Sequence, residues 1–178
     1  LRTLVSAASA ISPAVLRNFE DMGLHVIQAY GLTETSPFIS ATPVRSKDRY
    51  KKAGSVGLCI DDGEVKIVRP DEDGIGEICY RGPNVMLGYY KMPQETEAVM
   101  EDGWINTGDL GFLDRDGWLY ITGRKKNVIV TKNGENIYPE EIESVVNNSP
   151  CVTDCMVYAA KKDDNEIVGI QIIPDLEY

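Results

Sequence analysis

The sequence predicts a mixed α/β fold. An apolar strand–helix–strand pattern fills the first thirty residues, glycine-punctuated short runs fill the middle, and one amphipathic helix precedes two long apolar runs at the end. The length of 178 residues suits one large domain or pieces of two. A hydrophobic share of 43% is enough for a packed core and argues against wholesale disorder. The changes of pattern divide the chain into an α/β portion over 1–53, a β-rich portion over 54–123 and a further α+β portion over 124–178.

Leu1–Ala7 is expected to be a buried strand. Ser12 is expected to cap a helix that Pro13 opens, with Val15, Leu16, Phe19 and Met22 at helical spacing and Gly23 at its end. Leu24–Tyr30 then reads as a second strand. Such a unit implies a parallel crossover, and the loop after it, Gly31–Pro37, falls at the sheet edge where α/β folds place ligands.

In the middle, Glu64–Val68 and Glu77–Tyr80 flank the turn Pro70–Gly74. Gly111–Leu113 and Trp118–Thr122 flank Asp114–Gly117. Gln94–Met100, behind Pro93, is the one helical stretch there, so a small barrel or distorted sheet is expected. Further on, Asn127–Val130 and Asn136–Tyr138 can pair across Thr131–Glu135. Pro139 opens a helix over Glu140–Asn148, and strands Cys151–Ala160 and Glu166–Ile173 follow with an apolar face left exposed.

Composition narrows the function classes. The net charge is −10, and residues 61–118 alone carry 14 acidic against 5 basic side chains. That balance argues against a nucleic-acid partner; the turn carboxylates Asp71, Glu72, Asp73, Asp114 and Asp116 read as a solvated rim. A single histidine, His25, excludes a two-histidine zinc motif. Cys59, Cys79, Cys151 and Cys155 read as small buried side chains in a reducing, cytoplasmic setting, because C-x₃-C is not a redox pair. No apolar run reaches the roughly 18 residues of a transmembrane helix, although peripheral membrane contact stays open. The chain opens on Leu1 with no signal peptide, and the expectation is a segment of a longer protein.

Three stretches carry candidate chemistry. In Tyr30-Gly31-Leu32-Thr33-Glu34-Thr35 the glycine permits close backbone approach, Thr33 offers a hydroxyl and N–H to a phosphate, and Glu34 offers a hard carboxylate to Mg²⁺. Tyr30 offers a flat stacking face. A turn whose hydroxyls satisfy its own backbone is the competing reading. In Trp104–Leu110, Asp109 sits beside a glycine among apolar residues and can accept both hydrogen bonds of a ribose diol, or else cap a turn. In Thr122–Asn127, Arg124, Lys125 and Lys126 can meet phosphate or ribose oxygens, or form a solvated face. The Lys132–Asn136 stretch around Gly134 offers a phosphate loop, or else a hairpin turn, which suits it better.

Taken in order, YGLTETSP (30–37), GEICYRGPNVMLGYYKMPQET (76–96), DGWINTGDLGFLDRDGWLYITGRKKNVIV (102–130) and NGENIYPEEIE (133–143) resemble the acyl-adenylate-forming superfamily. Within them, GRKKNVIVTKNGENIYPEEIE (123–143) resembles bacterial long-chain fatty-acid–CoA ligases most. The resemblance implies the end of a large N-terminal adenylate-forming domain, a sheet–helix unit plus a distorted β-barrel, followed by part of a small α+β C-terminal domain. It also implies that a carboxylate attacks Mg²⁺-bound ATP to give acyl-AMP, and that CoA then displaces AMP. Aryl-CoA ligases, acyl–carrier-protein synthetases and a non-catalytic nucleotide-binding module are the alternatives.

By the same resemblance Thr33 would contact the α-phosphate and Glu34 would hold Mg²⁺. Tyr30 would stack on adenine beside Gln28, Ala29 and Gly31. Asp109, helped by Arg124, would bind the ribose hydroxyls. Lys126 would be the hinge of a rotating C-terminal domain, and Gly134 and Glu135 would line the pantetheine path. Departures are equally specific. The phosphate loop ending in Pro-Lys-Gly and the C-terminal catalytic lysine are absent from these residues, so the segment by itself is expected to be inactive. Ala7-Ala8-Ser9 stands where many relatives have Gly-Gly-Ala, and Val130 where many have lysine.

Overall fold

Strand β1 (Thr3–Ala7) and strand β2 (His25–Tyr30) pair in parallel, with Thr3 opposite His25 and Ala7 opposite Ala29. Helix α1 (Pro13–Asp21) crosses between them in this computed structural model, which describes residues 2–9, 11–132, 134–162 and 165–176. Leu1 and Asn133, which open an expected strand and an expected motif, lie outside those residues. The chain forms two units, residues 1–121 and 122–178.

Three local expectations for the crossover need correction. The Ser12 hydroxyl does not cap α1. Its carbonyl instead accepts the Leu16 N–H at 3.0 Å, while Pro13 removes one of the donors a cap would serve. Of the helix's apolar positions Leu16 alone is buried, because nine residues resting on one sheet turn little of their surface inward; Val15 and Met22 stay exposed. Strand β1 is likewise not buried: among the described residues it pairs on one side only, and Val5 is 66% exposed.

Two short antiparallel strands, β3 (Ser40–Ala41) and β4 (Leu58–Cys59), extend this sheet in the order β1-β2-β3-β4 and make it mixed. The second sheet holds β5 (Glu64–Val68), β6 (Gly76–Arg81), β7 (Met100–Glu101), β8 (Trp104–Leu113) and β9 (Leu119–Arg124). Its order is β5-β6-β8-β7, with β9 also on β8. Helix α2 (Pro93–Val99) precedes β7. Tyr30, Ile39, Ile78, Tyr80, Ile105 and Leu119 form the core that joins both sheets of this unit.

Strand β8 is longer than expected. A strand was expected at Gly111–Leu113, because Asn106-Thr107-Gly108-Asp109 has the composition of a turn. The ladder instead runs through it with a bulge: pairing with β6 shifts register between Glu77 and Cys79, and Gly108 takes φ +71°. The Thr107 hydroxyl fills the gap, donating to the Ile78 carbonyl at 2.8 Å and accepting the Asp109 N–H at 3.1 Å.

The second unit opens with the end of β9 and a 3₁₀ turn, Lys125–Asn127. Strands β10 (Ile129–Val130) and β11 (Asn136–Ile137) form the expected hairpin. Helix α3 (Pro139–Val146) follows, and then β12 (Val152–Lys162) pairs antiparallel with β13 (Asn165–Pro174). Glu143 of α3 accepts the Val157 N–H at 2.7 Å and so fixes the helix to β12.

Candidate functional site

The loop after β2 divides its three hydroxyl- and carboxyl-bearing residues between folding and exposure. Thr35 is fully buried: its Oγ1 accepts the Leu32 N–H at 3.0 Å and faces the carbonyls of Leu32 and Pro37 at 3.0 and 3.2 Å. Thr33, on the same 3₁₀ turn, is exposed, and Glu34 is half-buried between them. The self-satisfied turn of the competing reading therefore describes Thr35 and leaves Thr33 available. Gly31 serves the loop itself, since a Cβ there would lie 1.8 Å from the Pro37 carbonyl oxygen.

Asp109 comes from the other sheet. It is 4% exposed, on the inward face of β8 beyond the bulge, and its Oδ2 accepts the Tyr30 hydroxyl at 2.6 Å. This short bond lies between residues 79 apart in sequence. It is short and buried, so it holds both side chains in one arrangement. Tyr30 packs into the core and is 9% exposed. Beside it on β2, Gln28 and Ala29 are buried, and Gln28 Oε1 has no donor among the described residues.

A third segment, between β6 and α2, grips the Glu34 loop. Asn84 Nδ2 donates to the carbonyls of Thr35 and Phe38, the latter at 2.8 Å, while its Oδ1 accepts the Tyr80 hydroxyl at 2.6 Å. The Met86 N–H donates to the Glu34 carbonyl at 2.8 Å. Tyr89 donates its hydroxyl to Glu34 Oε1 at 2.7 Å. That bond, with burial and the nearby carboxylate charge, pushes the Tyr89 hydroxyl above its ordinary range and keeps it a donor. Sequence reasoning assigned these residues no role. Their signal was the stretch 76–96, which carried the resemblance without saying what its polar residues touch.

Thr33, Glu34, Tyr30 and Asp109 thus share the first unit, whereas Arg124 and Lys126 belong to the second. Arg124 ends β9, and Glu140 accepts its N–H at 3.3 Å and Asn127 Nδ2 at 2.7 Å. Lys126 lies on the 3₁₀ turn, and Gly134 and Glu135 on the β10–β11 hairpin, where the Thr131 carbonyl and hydroxyl accept their N–H groups. The cysteines are free, as expected, but Cys151 is exposed where burial was expected, because it lies in the turn before β12. The acidic rim is less passive than expected: Lys52 Nζ reaches Asp114 at 2.6 Å and Asp116 at 2.5 Å.

Among the described residues no cluster of three His, Cys, Asp or Glu side chains could hold a metal ion. A single carboxylate does suit Mg²⁺, which keeps several waters and takes substrate phosphates as ligands. Glu34 has the fitting form, because Tyr89 occupies Oε1 and no donor among the described residues occupies Oε2.

A parallel crossover whose second strand ends against a buried aspartate of an antiparallel sheet places the chain in the mixed α/β class. Residues 1–90 match the family model described as AMP-binding enzyme. The chain belongs to that family. It is 36% identical over 181 residues to the indoleacetate–CoA ligase of Aromatoleum aromaticum, covering 98% of this chain and 35% of that protein. It is 42% identical over 129 residues to the long-chain-fatty-acid–CoA ligase of Salmonella typhimurium, covering 70% of this chain and 22% of that one. Among solved structures, the o-succinylbenzoate–CoA synthetase of Bacillus subtilis bound to its acyl-adenylate intermediate matches with a TM-score of 0.90 and 33% identity, covering 98% of this chain and 37% of that one. The same synthetase with ATP and a magnesium ion matches at 0.86 and 34%, covering 96% and 36%. The chain thus spans about a third or less of the length of these relatives. No helix among its described residues is long and apolar enough to cross a membrane.

Proposed function

We propose that this chain supplies the nucleotide-binding wall and the hinge of an ATP-dependent acid–thiol ligase that activates a long-chain fatty acid as acyl-AMP and passes it to CoA. The observation that carries the reading is the buried 2.6 Å bond from Tyr30 to Asp109, which ties the end of β2, just before the Thr33–Glu34 turn, to the acidic residue of a second sheet. In this reading the Asp109 carboxylate accepts the ribose hydroxyls, with Arg124 assisting. Thr33, exposed on the turn after β2, contacts the α-phosphate. Adenine lies against the Gln28–Gly31 end of β2, where the exposed remainder of Tyr30 meets it. Glu34 holds Mg²⁺, which when bound offsets phosphate charge as the carboxylate attacks. Lys126 is the pivot between half-reactions, and Gly134 and Glu135 border the path of the thiol. Residues 1–53 and 54–123 share one core and form the wall, and residues 124–178 carry the hinge.

The test uses the full-length protein encoded by the gene for this chain. Fatty-acid-dependent exchange of pyrophosphate into ATP is expected, and Asp109→Ala is expected to lower kcat/KM for ATP by about 10- to 100-fold, the worth of a charged hydrogen bond. Exchange with no carboxylic acid, or an unchanged ATP dependence in Asp109→Ala, overturns the reading. A second reading, an aryl-acid ligase, is favoured by the near-complete coverage of this chain in its match to the indoleacetate ligase. Exchange across straight-chain acids of rising length and arylacetic acids separates the two, and replacing CoA by acyl-carrier protein tests the acceptor.

A further inference from the structure

The side chain of Glu34 is held from outside its own loop. Its carbonyl is fixed by the Met86 N–H at 2.8 Å and its Oε1 by the Tyr89 hydroxyl at 2.7 Å, so one short segment orders both ends of the residue. Tyr89 is in turn anchored: its N–H donates to Thr96 Oγ1 at 2.9 Å, and the Thr96 hydroxyl donates to the Met92 carbonyl at 2.8 Å. Thr96 sits on α2, so the helix braces the tyrosine that braces the carboxylate.

We propose that Tyr89 is a positioning residue for Glu34, fixing its carboxylate so that Oε2 faces the metal of a metal–nucleotide substrate. The proposal rests on the reading of Glu34 as the Mg²⁺ ligand. A free glutamate must give up rotamer freedom when it binds a cation, and one already held by a hydrogen bond gives up less. A donor on Oε1 limits how the carboxylate can turn and leaves Oε2 for a cation. Tyr89 touches no reacting atom in this scheme and acts only through Glu34.

The experiment measures the Mg²⁺ dependence of pyrophosphate exchange in the full-length protein at saturating ATP. Tyr89→Phe removes one hydroxyl and keeps the ring. The expected result is a rise of about 10-fold in the Mg²⁺ concentration for half-maximal rate, with a much smaller change in kcat at saturating Mg²⁺ and little change in Tm. In a Glu34→Gln background the same substitution is expected to add nothing further. A Mg²⁺ dependence that Glu34→Gln shifts and Tyr89→Phe leaves unchanged overturns the positioning role alone. A Tyr89→Phe effect that persists in full in the Glu34→Gln background also overturns it, and this comparison holds even where Tyr89→Phe lowers stability. If Glu34→Gln itself leaves the Mg²⁺ dependence unchanged, the metal role of Glu34 fails and the proposal falls with it.

Discussion

Two small residues end the two parallel strands under opposite constraints. Gly31 follows β2, and a methyl group there would overlap a backbone oxygen at 1.8 Å, which no side-chain rotation relieves. Ala8 follows β1 with φ +68°, in the left-handed region where a Cβ is unfavourable. Gly31→Ala is therefore expected to destabilise by more than about 2 kcal/mol, as overpacking against backbone does. Ala8→Gly is expected to stabilise slightly, raising Tm by about 1–3 °C after the greater freedom of unfolded glycine is subtracted. Thermal melts of both variants check this, and a rise in Tm for Gly31→Ala overturns the account of the loop. At this scale the sequence displayed the residue types and hid their partners. Thr33 and Thr35 look alike in the chain, and local folding alone decides which hydroxyl is consumed. The bonds from Tyr30 to Asp109 and from Tyr89 to Glu34 span 79 and 55 residues, beyond the reach of any local pattern.

Helix α1 is fastened to its sheet mainly by one carboxylate. Glu20 accepts the Val26 N–H of β2 at 3.1 Å, Arg49 Nε at 3.1 Å and approaches His25 Nδ1 at 3.2 Å, so helix, strand and the loop carrying Arg49 meet at one point. Burial alone would raise the Glu20 carboxyl, but Arg49, His25 and the Val26 N–H outweigh it and hold the group below the usual carboxylate range. A group with a depressed folded pKa stabilises above its unfolded value and loses that contribution as pH falls through the folded one. Stability is expected to decline as pH drops below about 4.5, and Glu20→Gln is expected to show a shallower decline over the same interval from a lower starting point. Denaturant melts between about pH 6 and 3 measure it, and parallel curves for the two proteins sink the assignment. Elements of this kind were readable where the pattern was local. The crossover, the Asp114–Gly117 turn and the β10–β11 hairpin announce themselves through apolar period, proline and glycine. Strand β8 did not, because its bulge carries turn-like letters and only pairing with β6 makes it extended.

At the scale of the whole chain, a strongly acidic charge meets an unusually apolar two-stranded ribbon, β12–β13. In the β12–β13 ladder, Val157 opposes Ile170 and Cys155 opposes Ile172 on one face, while Met156, Tyr158 and Ile173 lie on the other. Cys155 and Val157 are buried, yet Ile170, Ile172, Met156 and Ile173 are each more than 40% exposed. Strands apolar on both faces are those of sheets covered on both sides, and this ladder has no third strand among the described residues. Its long edges are therefore templates for pairing with other chains. Opposing this, the net charge of −10 repels like chains over roughly 10 Å at about 0.1 M salt and further in more dilute buffer. The two forces scale differently, since salt screens the repulsion and leaves the apolar attraction intact. The isolated 178-residue chain is expected to self-associate with rising concentration, more so at about 0.5 M salt than at about 0.05 M. Ile170→Lys, which places a charge on the edge strand, is expected to weaken association at least severalfold without lowering the melting temperature by more than a few degrees. Sedimentation velocity across both salt conditions decides it: a chain that stays monomeric at high salt, or association that Ile170→Lys leaves intact, would mean that this ribbon is not the adhesive surface.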